Sequence, residues 1–252
     1  MGEESNAGVV VLRSPRLVAA GVRHGFSTRV GGVSVEPFAS MNLARAVGDD
    51  LDAVAENHRR FAAAVGYAAD RLHESSQVHG AAVVSVRGPD VLATRTLSAD
   101  ALVATEPGDA VAVRVADCVP VLLAVPGRGV AAVHAGWRGV VAGVVGAALD
   151  VLGGATEDVL AAIGPCIGAC CFEVGPEVAD AIAAVSAPAV VHPREGANPH
   201  VDLRAAVAWQ LAARGVDAVD QVGGCTRCDA ARFHSFRRDG KRSGRLLAAI
   251  VA

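Results

Sequence analysis

Aromatic side chains are scarce, at 4% of the 252 residues. A core of this size must therefore be built from Ala, Val and Leu. Lysine is almost missing: Lys241 is the one lysine among 23 basic residues, a compositional bias before it is a functional signal. No long basic run exists. With a net charge of −3 and a pI of about 6.2, this argues against a nucleic-acid partner. The longest uncharged stretch, VLAAIGPCIGACCF (159–172), is interrupted by Gly and Pro and is too short to span a bilayer. The opening MGEESNAG lacks the basic and apolar regions of a signal peptide. The expectation is a soluble cytoplasmic protein, monomer or homodimer, with no membrane partner and with residues 1–8 flexible.

Hydrophobic residues make up 52% of the chain and mean hydropathy is +0.38, which excludes a disordered polymer. The length suits a single catalytic domain over 1–252. Strands are expected at 9–13, up to Phe26, and at 81–86, 101–105, 110–115, 119–125, 130–134 and 159–164. Helices are expected over 49–66, from Trp137 to about Leu152, and over 176–185 and 202–215. In the first helix Asp49 or Asp50 supplies the cap, Leu51, Val54, Phe61 and Val65 share a face, and Gly66 ends it. The segment from Arg232 to the C-terminus reads as a closing hairpin turning at Asp239–Gly240. The strands at 110–134 follow too closely for helical crossovers, so antiparallel pairing is expected there. Together these give a mixed α/β (α+β) fold, a layered sandwich around a mixed central sheet.

Chemistry concentrates at strand ends. QVHG (77–80) precedes a strand, Ala116-Asp117-Cys118 lies between two, and His134 ends the next. Two imidazoles and a thiolate, His79, Cys118 and His134, make a three-ligand zinc set with one position open for water or substrate. Spacing alone leaves two other readings: three unrelated polar residues, or a Cys118–His134 nucleophile and base with Asp117 nearby. In HAGWRG (134–139) the two glycines allow close backbone approach, and Arg138 can grip a phosphate or carboxylate. Trp137 either stacks a ligand ring or fills core, with core favoured. Ser27–Gly32 is either an oxyanion-binding turn carrying Arg29 or an ordinary turn. The basic cluster 237–245 is either a solvated tip or a phosphate-contacting turn. Cys225–Cys228 is a lone CxxC with no second CxxC and reads as structural, and the thiols at 166, 170 and 171 read as inert.

HGFSTRVGGVS, QVHG, ADALVAT, VADCVPVLLA, VAAVHAGWRG, AAIGPCIGACCFEVG and FHSFRRDGKRSGRLLAAI together resemble the laccase-domain (multicopper polyphenol oxidase-like) family, which includes peptidoglycan-editing-factor proteins. The resemblance runs from about residue 21 to the C-terminus. It implies purine nucleoside phosphorylase activity with adenosine deaminase activity, acting on purine nucleosides and phosphate. It implies a fold shared distantly with toxin deamidases, which are cysteine hydrolases. It also implies Zn2+, with Cu2+ as the alternative, held by His79, Cys118 and His134. Arg29, Asn42, Gln77, Arg138 and Arg237 then fall at substrate or phosphate positions, with Arg245 beside them. Asp117, or Glu173, is the available proton-carrying carboxylate. An amide hydrolase using Cys118 and His134 on cell-wall precursors is a second reading. A copper polyphenol oxidase is a third, disfavoured by eight histidines and no HxH pair.

Overall fold

A computed structural model gives the structure of the protein, describing residues 2–6 by their backbone and residues 8–252 in full. The strands are β1 (Gly2–Asn6), β2 (Val9–Arg13), β3 (His24–Ser27), β4 (Leu72–His73), β5 (Val83–Val86), β6 (Ala101–Ala104) and β7 (Ala110–Val115), followed by β8 (Val119–Val125), β9 (Gly129–Ala135), β10 (Leu160–Ile163), β11 (Val191–His192), β12 (His200–Val201), β13 (Val219–Gln221) and β14 (Leu246–Val251). The helices are α1 (Pro15–Ala19), α2 (Leu51–Val65), α3 (Val91–Thr96), α4 (Trp137–Val141), α5 (Val144–Leu152), α6 (Pro176–Ala184), α7 (Leu203–Ala213) and α8 (Phe236–Asp239). No described helix is long and apolar enough to cross a membrane.

The mixed, layered α/β expectation holds, but the sheet is divided in two. One six-stranded sheet runs β1-β2-β3-β14-β7-β4 and the other β13-β10-β8-β9-β6-β5. Their inner faces pack on each other: Val111, Val113, Leu246 and Ile250 of the first meet Leu102, Leu122, Val130 and Ala132 of the second. The outer face of the second sheet, through Val121, Leu123, Val133 and Ile163, carries the helical layer of α4 to α7. The outer face of the first, through Val11, Ala110, Ala112 and Ala249, carries Phe61 and Val65 of α2. Strands covered on both faces read as unbroken apolar runs, as β8 and β14 do, while β7 and β9 are apolar except for Arg114 and His134 near their ends. Small Ala and Val side chains, with Leu and Ile, make up most of the inter-sheet layer, to which Phe26 and Phe233 add two buried rings.

Several local expectations are corrected. Asp50 caps α2 by accepting from Ala53 N–H, and Gly66 ends it at φ 92°, but Leu51 in its first turn faces solvent. The helix expected from Trp137 to Leu152 is broken at Gly143, whose φ of 80° divides α4 from α5. The C-terminal segment is no hairpin. Ser235 caps the short α8, and β14 runs on as a central strand, antiparallel to both β3 and β7. Antiparallel pairing joins β8 to β9 but not β7 to β8, because the chain changes sheets at residues 116–118. Backbone residues 2–6, within the segment expected to be flexible, form an edge strand antiparallel to β2, while Met1 and Ala7 lie outside the described residues.

Leu122 is fully buried between the sheets. Leu122→Ala is expected to cost about 2–5 kcal/mol of unfolding free energy. Urea denaturation would check this as a lower midpoint at unchanged slope; an unchanged midpoint would mean the inter-sheet layer is loosely packed.

Candidate active site

The crossover from one sheet to the other places the site. Asp117 makes the corner at φ 92°, and Cys118 follows it just before β8. In the β8–β9 ladder Pro120 pairs with His134, so His134 sits beside that corner. His79 reaches the same point from the loop ahead of β5, itself at φ 60°. Left-handed backbone at a histidine is costly, by roughly 1–3 kcal/mol, and needs an external hold. Asp100 supplies it. One carboxylate oxygen accepts from His79 N–H (2.9 Å), and the other from Gly80 N–H (2.7 Å) and Val78 N–H (3.2 Å). The oxygen facing His79 also bonds His134 Nδ1 at 2.8 Å. Burial would raise the Asp100 pKa, but the bonds from His134 and the backbone N–H groups outweigh it and hold the group below the usual carboxylate range.

With Nδ1 committed to Asp100, His134 presents Nε2 to the site. The ligand atoms of His79, Cys118 and His134 all lie within 4.8 Å of one another, with His79 Nε2 3.8 Å from the Cys118 sulfur. A carboxylate behind a ligating imidazole is the usual support of a metal site. The donor set therefore fits an ion, leaving a position open for a further ligand. Gly136 closes the back of the cluster: a Cβ there would lie 2.8 Å from His79 Cδ2 and 3.1 Å from the Cys118 sulfur. Burial would raise the Cys118 thiol, yet His134 and His79 pull it down to about 6. Burial would lower His134, yet the Cys118 thiolate and Asp100 raise it to about 9. Without an ion the pair is thus biased toward thiolate and imidazolium, and an ion bound here would take the thiolate and displace the His134 proton.

A cleft of about 630 Å3 opens over these three residues. Four arginines line it: Arg45, Arg114, Arg237 and Arg245. Two share Glu74, a buried carboxylate contacted by Arg45 at 2.8 Å, Arg114 at 3.1 Å and, from outside the cleft, Arg95 at 3.7 Å. Burial would raise Glu74, but surrounding positive charge holds it below the usual range. His58 is also near, but burial pushes its pKa down to about 4, so at pH 7 the three guanidiniums supply that charge. Arg237 and Arg245 donate to backbone carbonyls instead: Arg237 to Cys171 and Glu173, Arg245 to Ser243 and Gly244. Beside them Phe172 and Phe236 give the cleft its aromatic surface, with Arg237 5.5 Å from the Phe172 ring and Arg245 5.6 Å from the Phe236 ring.

The sequence profile of the family described as multi-copper polyphenol oxidoreductase laccase matches residues 23–252. The chain belongs to this laccase family. A relative from Deinococcus radiodurans named purine nucleoside phosphorylase is 40% identical over 247 residues, covering 96% of this chain and 93% of the relative. A purine nucleoside phosphorylase from Pseudomonas aeruginosa is 42% identical over 235 residues, covering 92% and 93%. The crystal structure of YlmD from Geobacillus stearothermophilus superimposes with a TM-score of 0.89 at 34% identity, covering 98% of this chain and 97% of that one.

Of the residues that the laccase-family resemblance singled out, His79, Cys118, His134, Asp117, Gln77, Arg237 and Arg245 line the cleft. Gln77 does so with its amide tied to the backbone of Arg114, donating to the carbonyl at 2.8 Å and accepting from N–H at 2.9 Å. Asp117 has both oxygens occupied, accepting from Thr226 Oγ1 and from Arg237 N–H at 2.6 Å each. Asn42 is buried behind the cleft, where its Oδ1 accepts from the backbone N–H of Ala44 and Arg245. Arg29 is not in the lining: its guanidinium ties two loops through the carbonyls of Ala39 and Ala230. Arg138 also lies outside it, exposed and stacked 4.4 Å from Trp137, which packs against the helical core. Glu173 is exposed and accepts from Asn198. Asp100, Glu74, Arg45 and Arg114 were missed as site residues, although Asp100 stands inside ADALVAT, a motif already quoted.

Asp100→Asn removes the charged acceptor behind His134. Metal affinity is expected to fall about 10- to 100-fold, read by competition with a chromophoric chelator; unchanged affinity would mean Asp100 serves only the backbone. Glu74 carries a lowered pKa, so it adds stability that is full above its unfolded value of about 4.3 and is lost as pH falls through that range. The urea midpoint of the wild type should therefore drop more between pH 7 and pH 3 than that of Glu74→Gln. Equal drops would show that Glu74 is not the acid-sensitive element.

Proposed function

We propose that the protein is a zinc-dependent purine nucleoside phosphorylase. It would convert adenosine, inosine and methylthioadenosine with phosphate to the free base and the ribose 1-phosphate product, and also deaminate adenosine. One observation carries this reading: a metal-capable His/Cys/His set, two guanidiniums with no carboxylate ion pair among the described residues and two phenyl rings share one cleft. Two cations suit a phosphate dianion and the rings suit a purine. The names of the relatives point the same way.

In phosphorolysis a phosphate oxygen forms the bond to ribose C1′ while the C1′–N9 bond breaks and the base leaves with the bond electrons. Arg237 and Arg245 would hold the phosphate and orient it. Phe172 and Phe236 would flank the base and exclude water. Asp117 would position rather than transfer protons, since its two oxygens already accept; it fixes the backbone of Arg237 and the loop carrying Thr226. A zinc ion on His79, Cys118 and His134 would supply Lewis-acid polarisation of a substrate oxygen or activation of a water.

A second reading rests on the Cys118 thiolate beside a His134 that Asp100 orients, the arrangement of a cysteine amide hydrolase. The two readings part in one experiment. Purified protein is incubated with adenosine or inosine, with and without phosphate, alongside His79→Ala, and products are separated by chromatography. Free base appearing only with phosphate and lost in His79→Ala is the expected result, with inosine from adenosine marking deamination. Arg237→Ala and Arg245→Ala should each raise the KM for phosphate about 10- to 100-fold, as loss of a charged hydrogen bond predicts. Equal residual turnover in wild type and His79→Ala would overturn the nucleoside reading and leave the hydrolase.

A further inference from the structure

Four cysteines that this chemistry leaves unused come together elsewhere. The CxxC of Cys225 and Cys228 has no second CxxC in the sequence, but the fold brings the adjacent pair Cys170–Cys171 to it. All four sulfurs lie within 4.8 Å of one another, with Cys228 3.6 Å from Cys170 and 3.3 Å from Cys171. In a tetrahedral tetrathiolate zinc centre, with Zn–S near 2.3 Å, sulfurs stand about 3.8 Å apart. The two loops are already in register through a bridge between Cys166 and Cys225. Donors are aimed at the sulfurs: Gly168 N–H at Cys225 (3.2 Å) and Arg227 Nη1 at Cys171 (3.5 Å). Such donors suit thiolates, whose charge they offset. Cys170 and Cys228 are exposed, so an ion has a path in.

We propose that Cys170, Cys171, Cys225 and Cys228 bind one zinc ion as a structural centre, separate from the His79/Cys118/His134 set. Binding replaces four S–H bonds by four Zn–S bonds and releases four protons to solvent. The resulting centre carries two negative charges, with Arg227 beside it. Its role follows from its neighbours in sequence. Phe172, next to Cys171, lines the cleft, and Thr226, inside the CxxC, holds Asp117. An ion here fastens the loop after β10, which lines the cleft through Ile167 and Phe172, to the loop after β13, which holds the cleft residue Asp117 through Thr226. A disulfide would join only two of the four sulfurs and needs an oxidant; four converging sulfurs favour the ion.

The test counts metal and thiols rather than turnover, so it stands apart from the nucleoside reading. Protein prepared with zinc and a phosphine reductant, then desalted, is assayed for zinc per chain by mass spectrometry. The comparison is with His79→Ala/His134→Ala and Cys225→Ser/Cys228→Ser. The histidine variant should keep about one zinc, and the cysteine variant should hold about one fewer than wild type. Native wild type is also alkylated with iodoacetamide and peptide-mapped, which decides the matter even if the cysteine variant fails to fold. The four cysteines should resist alkylation until a chelator strips the ion. A cysteine variant with the zinc content of wild type, a metal-free histidine variant, free alkylation of all four thiols, or their recovery as disulfides would each overturn the proposal.

Discussion

The buried carboxylate of Asp100 is the contact on which the site depends. It stands immediately before β6, and the β6–β9 register sets Ala101 opposite Val133, which brings Asp100 alongside His134. The pairing is made twice, through His134 N–H to the Asp100 carbonyl at 2.7 Å and through Nδ1 to its carboxylate. The same carboxylate gathers three successive N–H groups of the 78–80 loop. Without that anchor nothing local would keep His79 in left-handed backbone, and His134 would be free to turn its other nitrogen to the site. One ionised group therefore sets the position of His79 and the orientation of the His134 ring, and does so from beneath the cleft.

The other dependence is topological. Two sheets packed face to face need a place where the chain passes between them, and residues 116–118 are one such passage. A tight passage cannot continue either ladder, so its polar atoms turn outward. Asp117 takes the strained corner and is held there by Thr226 and by the backbone of α8. Cys118 leaves the corner pointing at the two imidazoles. Gly136 then lets β9 hand over to α4 without a side chain in the way.

The sequence disclosed the strands well, because layers of Ala and Val covered on both faces leave unbroken apolar runs. It disclosed α2 through Asp50 and Gly66. It did not disclose the division into two sheets, since a strand covered by a sheet and one covered by a helix carry the same apolar pattern. His79, Cys118 and His134 were legible as donors at strand ends and as one three-ligand set, but with separations of 39 and 16 residues only the resemblance chose that reading over the others. Asp100 passed unnoticed because a lone Asp before a strand looks like a turn residue. Arg29 and Arg138 were over-read for the converse reason: an arginine beside glycines looks like an anion site, and here one ties loops while the other covers Trp137. The Cys170–Cys171 pair and the CxxC stand more than fifty residues apart, a separation that no local spacing rule bridges.

Charge inside the cleft is divided rather than pooled. Arg45 and Arg114 face the opening and share the one Glu74 carboxylate behind them with Arg95, so that cluster is only partly neutralised. Arg237 and Arg245 keep theirs, being bonded to carbonyl dipoles that orient a guanidinium without neutralising it. An anion entering the cleft therefore meets positive charge on both sides, and only Arg237 and Arg245 have none of it shared with Glu74. Both hang from segments that the site itself fixes. Arg237 N–H is held by Asp117, and Arg245 N–H by Asn42. The corner that presents the Cys118 thiolate is thus the same corner that places Arg237, so the metal-capable side of the cleft and its anion side cannot move independently. For a reaction that must bring an anion to a sugar carbon at a fixed distance from its departing base, that rigid link is the feature the fold most directly provides.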